Sequence, residues 1–599
     1  MLPPAPKPGP RPWRIPLFVL TLAFAIPAAP AQNPPLQSKS VEAAGAAMRA
    51  GTAAANRNDL PAARREFARA AQLAPQVAAA HAAYGSILLA LGELDAARRE
   101  LQRAHSLGPS DFATTLNLAR TESLLGHSAS SVSLFREALA VSPQPVLSED
   151  ESLAYAAALS ATGDQTSAES ELRAALTRSP NSAALYDAHG MVLANTGHLQ
   201  EALDDLTRAI TLAPTATLQY HLGAVLISLG RPDEALPPLR SAAQSLPNSF
   251  DIHLQLGRAL SALHQDAPAL AELHRAIELQ PTTLSPTQAY ALALALEASG
   301  DARASLPFFT IAARSPSLGN EPLINQAVAL VQTGDAIGAL PLYAKALALG
   351  PETPTLREDY GVAYLQQSDL DHAIAQFRSG LLLDPQSAHL HYDLGLAFKL
   401  KDDLPQAIPE LERASQLDPN LPDPAYTLGI LYMQQGRTAD AATQLSRATT
   451  LQPTNAEAWS VLASVLKDSD PAGAIAALHQ AISLGPDQPG LHIQLAALYA
   501  HAGDPAQAAA ERKIAADLSR AAMAQQRATF ALNSGRALLA QGKLPEAIAQ
   551  LTVAAEADPA LPDPHKLLAE ALARQGKPAE AQRERERANA LTHPAATPQ

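Results

Sequence analysis

The stretch "YTLGILYMQQGRTADAATQLSRATTLQPTN" occupies residues 426 to 455, and "YDLGLAFKLKDDLPQAIPELERASQLDPNL" occupies residues 392 to 421. The two keep Leu, Gly, Ala, Leu, Ala and Pro at matching places, about thirty-four residues apart. A period of that length marks an array of small units, so self-similarity is settled before secondary structure. Extending the register outward from Ala44 gives about sixteen units that run almost to the end of the 599 residues.

The eighth place of each unit is Gly or Ala, from Gly51, Gly85, Ala119, Ala156 and Gly190 through Gly361, Gly395 and Gly429 to Gly535 and Ala569. The twentieth is Ala or Ser, as in Ala97, Ser131, Ala202, Ala373 and Ala547. The twenty-seventh is Ala in every unit but one, where Gly380 stands in. Prolines such as Pro75, Pro247, Pro385, Pro419 and Pro453 close the units. Within a unit, two apolar helix patterns of about fourteen residues flank a turn, often marked by Gly92, Gly126, Gly163, Gly197 or Gly436. Helices joined by so short a loop pack antiparallel, and only Gly, Ala or Ser leaves room where their axes come nearest. Leu101, Phe135, Leu206, Phe377 and Leu445, one turn from the small residues, are expected to fill the space between neighbouring units. A closing proline cannot continue the second helix and restricts the residue before it, which turns the chain into the next unit.

Three places depart from strict period. Residues 146–148 are an insertion ahead of "SEDESLAY", the register shifts around Pro316, and "ERKIAADLSRAAMAQQRATF" lacks a closing proline, so it is expected to extend a helix and bend the array before Ala528. Near the end, "RERER" from Arg583 to Arg587 places charge where Phe or Leu usually sits, as a water-facing capping helix requires.

On these residues the chain resembles the tetratricopeptide-repeat family over roughly residues 44 to 593. The resemblance implies an all-α fold, a superhelix (α-solenoid) of about sixteen helix-turn-helix repeats. We divide it as a signal peptide at 1–31, a short linker at 32–43, about fourteen repeats at 44–522, a connecting helical insertion at 523–527, two repeats with a capping helix at 528–593, and a tail at 594–599.

Composition narrows the chemistry. Cysteine is absent, which removes disulfides, thiolate-bound zinc and cysteine nucleophiles. The formal charge is -14 with no basic block, an unfavourable balance for a nucleic-acid ligand. At the start, Lys7, Arg11 and Arg14 precede the apolar run "IPLFVLTLAFAIPAA", and Ala29-Pro30-Ala31 has the form of a signal-peptidase site. The run is shorter than the roughly 20 residues a bilayer span needs. We expect cleavage and a periplasmic or secreted protein; an uncleaved anchor, the only membrane contact expected, is the other reading.

Catalytic patterns were sought without success: no HExxH, GxSxG or GxxxxGK occurs. His389 and His391 stand two apart on a predicted helix and so point in different directions, which does not suit a shared metal. The acidic "SEDES" at 148–152 suits the positive end of a helix. We expect no enzyme, no cofactor and no metal.

The family resemblance further implies that the first helix of each pair lines a concave side and binds through places two, five, six, nine, twelve and thirteen. Here the fifth place holds Tyr220, Leu254, Tyr290, Ile324, Tyr392 and Tyr426, with Glu358 interrupting. The ninth holds Leu294, Val328, Val362, Leu396 and Ile430, and Met433 adds area at the twelfth. Two readings stand: these residues pack adjoining helices, or they form an exposed apolar stripe on which a partner docks. Glu358, Asp359 and Asp393 would add a negative rim that favours a partner segment carrying Lys or Arg. The clamp residues of chaperone-tail binders are not found in three adjacent repeats. The Asn ladder of the sugar-transferase relatives is reduced here to Asn117, Asn325 and Asn533, far apart. The expected function is a non-catalytic, exported scaffold that holds an extended or helical protein segment. A subunit of an envelope machine for polysaccharide or protein export is the alternative, and a glycosyltransferase-like enzyme the remote one.

Overall fold

Polar turns set the spacing of the helices. At Gly163 the backbone turns left-handed, φ 86°, and the Asp164 side chain then accepts the Ser167 N–H at 3.2 Å, capping the helix Gln165–Arg178. Asp301, Asp335, Asp369, Asp403 and Asp504 cap the second helices of their own pairs in the same way. Where glycine is missing from the turn, Asn58, His264, Ser368 and Asp402 adopt the left-handed conformation instead, with φ between 54° and 61°.

A computed structural model describes residues 35–108, 111–140 and 146–592. Among these residues it contains thirty-one α-helices and one 3-10 turn, Pro316–Leu318, and no strand. The proposed signal segment lies outside the described residues. The first helix, Pro35–Asn56, begins inside the segment read as a linker, so residues 35–43 are its opening turns. The helix Pro505–Ala540 is 36 residues long and runs unbroken through 523–527. It serves as the second helix of one pair and the first of the next, which is why sixteen pairs yield thirty-one helices.

The chain divides into two compact units, one ending at Gly350 and one beginning at Pro351. In both, the small residues act as the sequence predicts. A Cβ on Gly85 would lie 2.6 Å from Cγ of Leu101, and one on Gly429 would lie 2.5 Å from Cγ of Leu445. The large residues therefore seat first against the glycine of their own pair, in addition to filling the space between units. They reach the next pair as well: Leu101 clusters with Leu118, and Phe377 with Leu390 and Leu394. The exceptional Gly380 has a cause, since a Cβ there would meet Cδ1 of Leu390 at 2.9 Å.

The irregular places are also anchored. Leu147 of the insertion is buried beside Phe135 and Tyr155, and Ser148 forms a capping box with Glu151. Around Pro316, the second helix shortens to Ala302–Ala312 before the 3-10 turn. On the helix Pro578–Thr592 only Ala581 and Ala588 are buried, and Arg583, Arg585, Glu586 and Arg587 of the charged run face water while Glu584 turns to His565.

Candidate binding surface

First helices carry every candidate residue, and the neighbouring helices decide how much of each is exposed. In the unit ending at Gly350, Tyr220 and Leu254 are core residues, 3% and 1% exposed, and do not belong to any docking stripe. Leu254 packs with Phe250, Leu273 and Leu292. Burial pushes the Tyr220 phenol up, and the neighbouring Asp251 carboxylate adds to the effect. The same fifth place two pairs later is different. Tyr290 is half-buried, its ring edge-on to Phe309 at 6.2 Å, and its hydroxyl accepts from Asn325 Nδ2 at 2.9 Å. Leu294, 38% exposed, lies one turn on, with Ile324 and Val328 half-buried on the helix Glu321–Gln332.

In the unit beginning at Pro351, the first helices Pro354–Gln366, Ala388–Leu400 and Pro422–Gln434 carry the rest. Val362, Tyr392 and Tyr426 are half-buried and pack against the unit's core, and Leu396 and Ile430 are half-buried too. Tyr392 bonds to Thr427 of the following pair. Burial and the Glu457 carboxylate push the Tyr426 phenol up to about 12. Met433 at 39% is the most exposed apolar member. The tyrosines and the ninth-place aliphatics join neighbouring pairs, and their outer edges remain at the surface.

Three acidic residues come close enough to influence one another. Glu358 and Asp359 lie on one first helix and Asp393 on the next, all half-buried. Burial, then the Glu358 and Asp359 charges, push Asp393 up to about 7; burial and Glu358 push Asp359 up to about 6. Burial also raises Glu358, against the opposing pull of His389. None of the three pairs with Lys or Arg among the described residues.

Other features escaped the sequence reading. Ile493 and Leu400, at the fifth and thirteenth places, are well exposed on first helices, and the repeat register alone could have flagged them. Tyr364 stacks between Tyr360 and His372, at 4.9 and 5.1 Å. His391 turns to Glu410 while His389 is exposed, so the two do point apart. Among the described residues no group of His, Asp and Glu could hold a metal ion, and no helix is long and apolar enough to cross a membrane.

No curated protein matches the chain. Solved structures similar to it include the Cut9–Hcn1 hetero-tetramer of APC/C, at 13% identity over 77% of this chain and 98% of that one, TM-score 0.37. MamA from Desulfovibrio magneticus is 21% identical over 29% and 99% of the two chains, TM-score 0.27. A tetratricopeptide repeat protein from Parabacteroides merdae is 19% identical over 42% and 98%, TM-score 0.30. Tetratricopeptide-repeat family models match residues 78–121, 148–279, 324–387, 359–422, 400–465, 489–511, 512–562 and 532–589. With its paired helices and its invariant small residues, the chain belongs to the tetratricopeptide-repeat family.

Proposed function

We propose that the protein is an exported, non-catalytic scaffold that holds a protein segment against the first helices of the unit beginning at Pro351. The observation that carries this reading is the juxtaposition of the Glu358, Asp359 and Asp393 trio with the apolar edges of Tyr392, Leu396, Tyr426, Ile430 and Met433. A partner helix or extended segment with apolar side chains flanked by Lys or Arg satisfies both halves of that surface. Apolar burial supplies affinity, and the carboxylates select the sign of the partner's charge. Export rests on the basic and apolar residues of 1–31; cleavage after Ala31 would leave the rest of the chain three charges more negative. Such a scaffold also suits the alternative role, a subunit of an envelope export machine, in which the held segment belongs to another subunit.

The test is affinity capture from the exported fraction with the full chain and three variants. Met433→Asp and Asp393→Lys are expected to lose the partner, whereas Leu382→Asp, on a second helix and strongly exposed, is expected to keep it. Retention by all three variants, or loss from Leu382→Asp alone, would refute the assignment of the face. N-terminal sequencing of the exported protein should begin at Gln32; a start at Met1 would replace cleavage by the uncleaved anchor, and absence of the protein from the exported fraction would remove the export reading.

A further inference from the structure

A histidine recurs at the fourth place of several first helices, and in four of them it faces the same two groups. Nδ1 lies 2.6 Å from a glutamate Oε2 on the second helix of its own pair: His81 on Glu100, His253 on Glu272, His391 on Glu410 and His492 on Glu511. Nε2 of each ring faces the carbonyl oxygen of the proline that closes the preceding pair. These distances are 3.2 Å to Pro75, 3.0 Å to Pro247, 3.3 Å to Pro385 and 3.4 Å to Pro486. His565 repeats the glutamate contact, at 2.6 Å from Glu584.

A carbonyl oxygen only accepts, and an ionised carboxylate only accepts. A ring with both nitrogens on acceptors must donate from both, which a neutral imidazole cannot do. The protein supplies its own calibration. Trp459 occupies the same fourth place in another pair, and its indole Nε1, a donor under all conditions, bonds to the Pro453 carbonyl at 3.0 Å. The fourth place is therefore a seat for a donor to the closing carbonyl. His189 and His221 sit at other places: they bond to Asp205 and Asp187 through Nδ1, but their buried Nε2 atoms face no partner among the described residues.

We propose that His81, His253, His391 and His492 are proton-operated latches. Each is held as an imidazolium that joins the two helices of its own pair to the loop closing the preceding one, and it releases one of those contacts when the proton leaves. The charged groups that face the latches from the packed elements are the four glutamates. In addition, Arg103, Arg275 and Arg413 reach Gln76, Asn248 and Gln386, the residues that follow three of the prolines. The arginines stay charged throughout, so the histidine–glutamate pairs are the parts that respond to proton concentration. The latches are stabilising when protonated and loosen as pH rises.

Hydrogen exchange on the full-length chain, at about pH 5.5 and at about pH 8.5, tests this without any variant. After correction for intrinsic exchange, the loops at Pro75, Pro247, Pro385 and Pro486 should lose about tenfold protection at the higher pH. The Pro453 loop, held by Trp459, should share only the general pH dependence of its unit and lose less protection than the Pro385 and Pro486 loops of that same unit. An equal ratio in all five loops would overturn the proposal. The double variant His81→Gln/His253→Gln should abolish the response at Pro75 and Pro247 while Pro385 and Pro486 keep theirs in the same molecule. Persistence of the response at Pro75 and Pro247 in that variant would also overturn it.

Discussion

Replacing Gly429 by Ala inserts a single methyl where the first helix Pro422–Gln434 crosses the second helix Thr438–Leu451. The new Cβ would lie 2.5, 2.8 and 3.4 Å from Cγ, Cδ2 and Cδ1 of Leu445. Leu445 is fully buried in the unit's core, so its branch point cannot swing aside and the helices must separate. Overpacking of this kind destabilises by about 1–3 kcal/mol. Alanine recovers up to about 1 kcal/mol through helix propensity, leaving a net loss of up to about 2 kcal/mol. That corresponds to a rise in local opening of up to about thirtyfold. Because repeat arrays open locally, the assay is hydrogen exchange of peptides spanning 422–451 rather than a single melting temperature. Gly45→Ala is the internal comparison: it lies inside the helix Pro35–Asn56, and its Cβ would meet only the far end of Arg49, at 3.7 Å. There the propensity term acts alone, and a gain of up to about 1 kcal/mol is expected. Equal and same-signed effects at the two glycines would refute the close-approach reasoning.

Other outcomes follow from the same structure. Asp393 and Asp359, held at about 7 and about 6, bind protons in the folded state that an unfolded carboxylate near ~3.9 has already released. Stability of the unit beginning at Pro351 should therefore fall as pH rises through that window. Denaturant midpoints should be higher at about pH 5 than at about pH 8, with Asp393→Asn reducing the difference. Ser368→Gly relieves a left-handed serine, φ 58°, and should stabilise its turn by about 1 kcal/mol, read as slower exchange around 364–372. Tyr290→Phe removes the acceptor for Asn325 Nδ2 and should destabilise by about 0.5–1.5 kcal/mol; a double-mutant cycle with Asn325→Ala should show that the two residues are coupled.

The sequence made the architecture legible because the physics that sets it is local to one pair of helices. Gly429 and Leu445, seventeen places from the small residue of one helix to the large residue of the other when both are counted, announce a close crossing that the structure contains. Gly436 announces a left-handed turn, φ 73°. Ser368 and His264 take the same conformation at the same place without the residue that would signal it, because packing of the flanking helices overrides the backbone preference. Exposure was less legible. Tyr220 and Tyr392 share one place in the repeat, yet the first is core and the second half-exposed. The difference lies in the neighbouring pairs, where Ile252 and Leu256 join Tyr220 in one buried cluster, and a single-repeat pattern does not encode it. The acidic trio was legible as residue types, whereas its perturbed protonation depends on burial that only the structure supplies. The histidine latches were visible as a recurring His and Glu, but their sense emerged only when the proline carbonyl was found on the second ring nitrogen.

Site-specific photo-crosslinking tests the binding face most directly. A photoreactive phenylalanine analogue is placed at Met433, on a first helix, or at Leu382, on a second helix of the same unit, in the full-length chain within its native compartment. The account predicts a discrete crosslinked protein at position 433, weakened by Asp393→Lys, and none at 382. The same adduct at 382, or an adduct at 433 indifferent to the charge at 393, would contradict it.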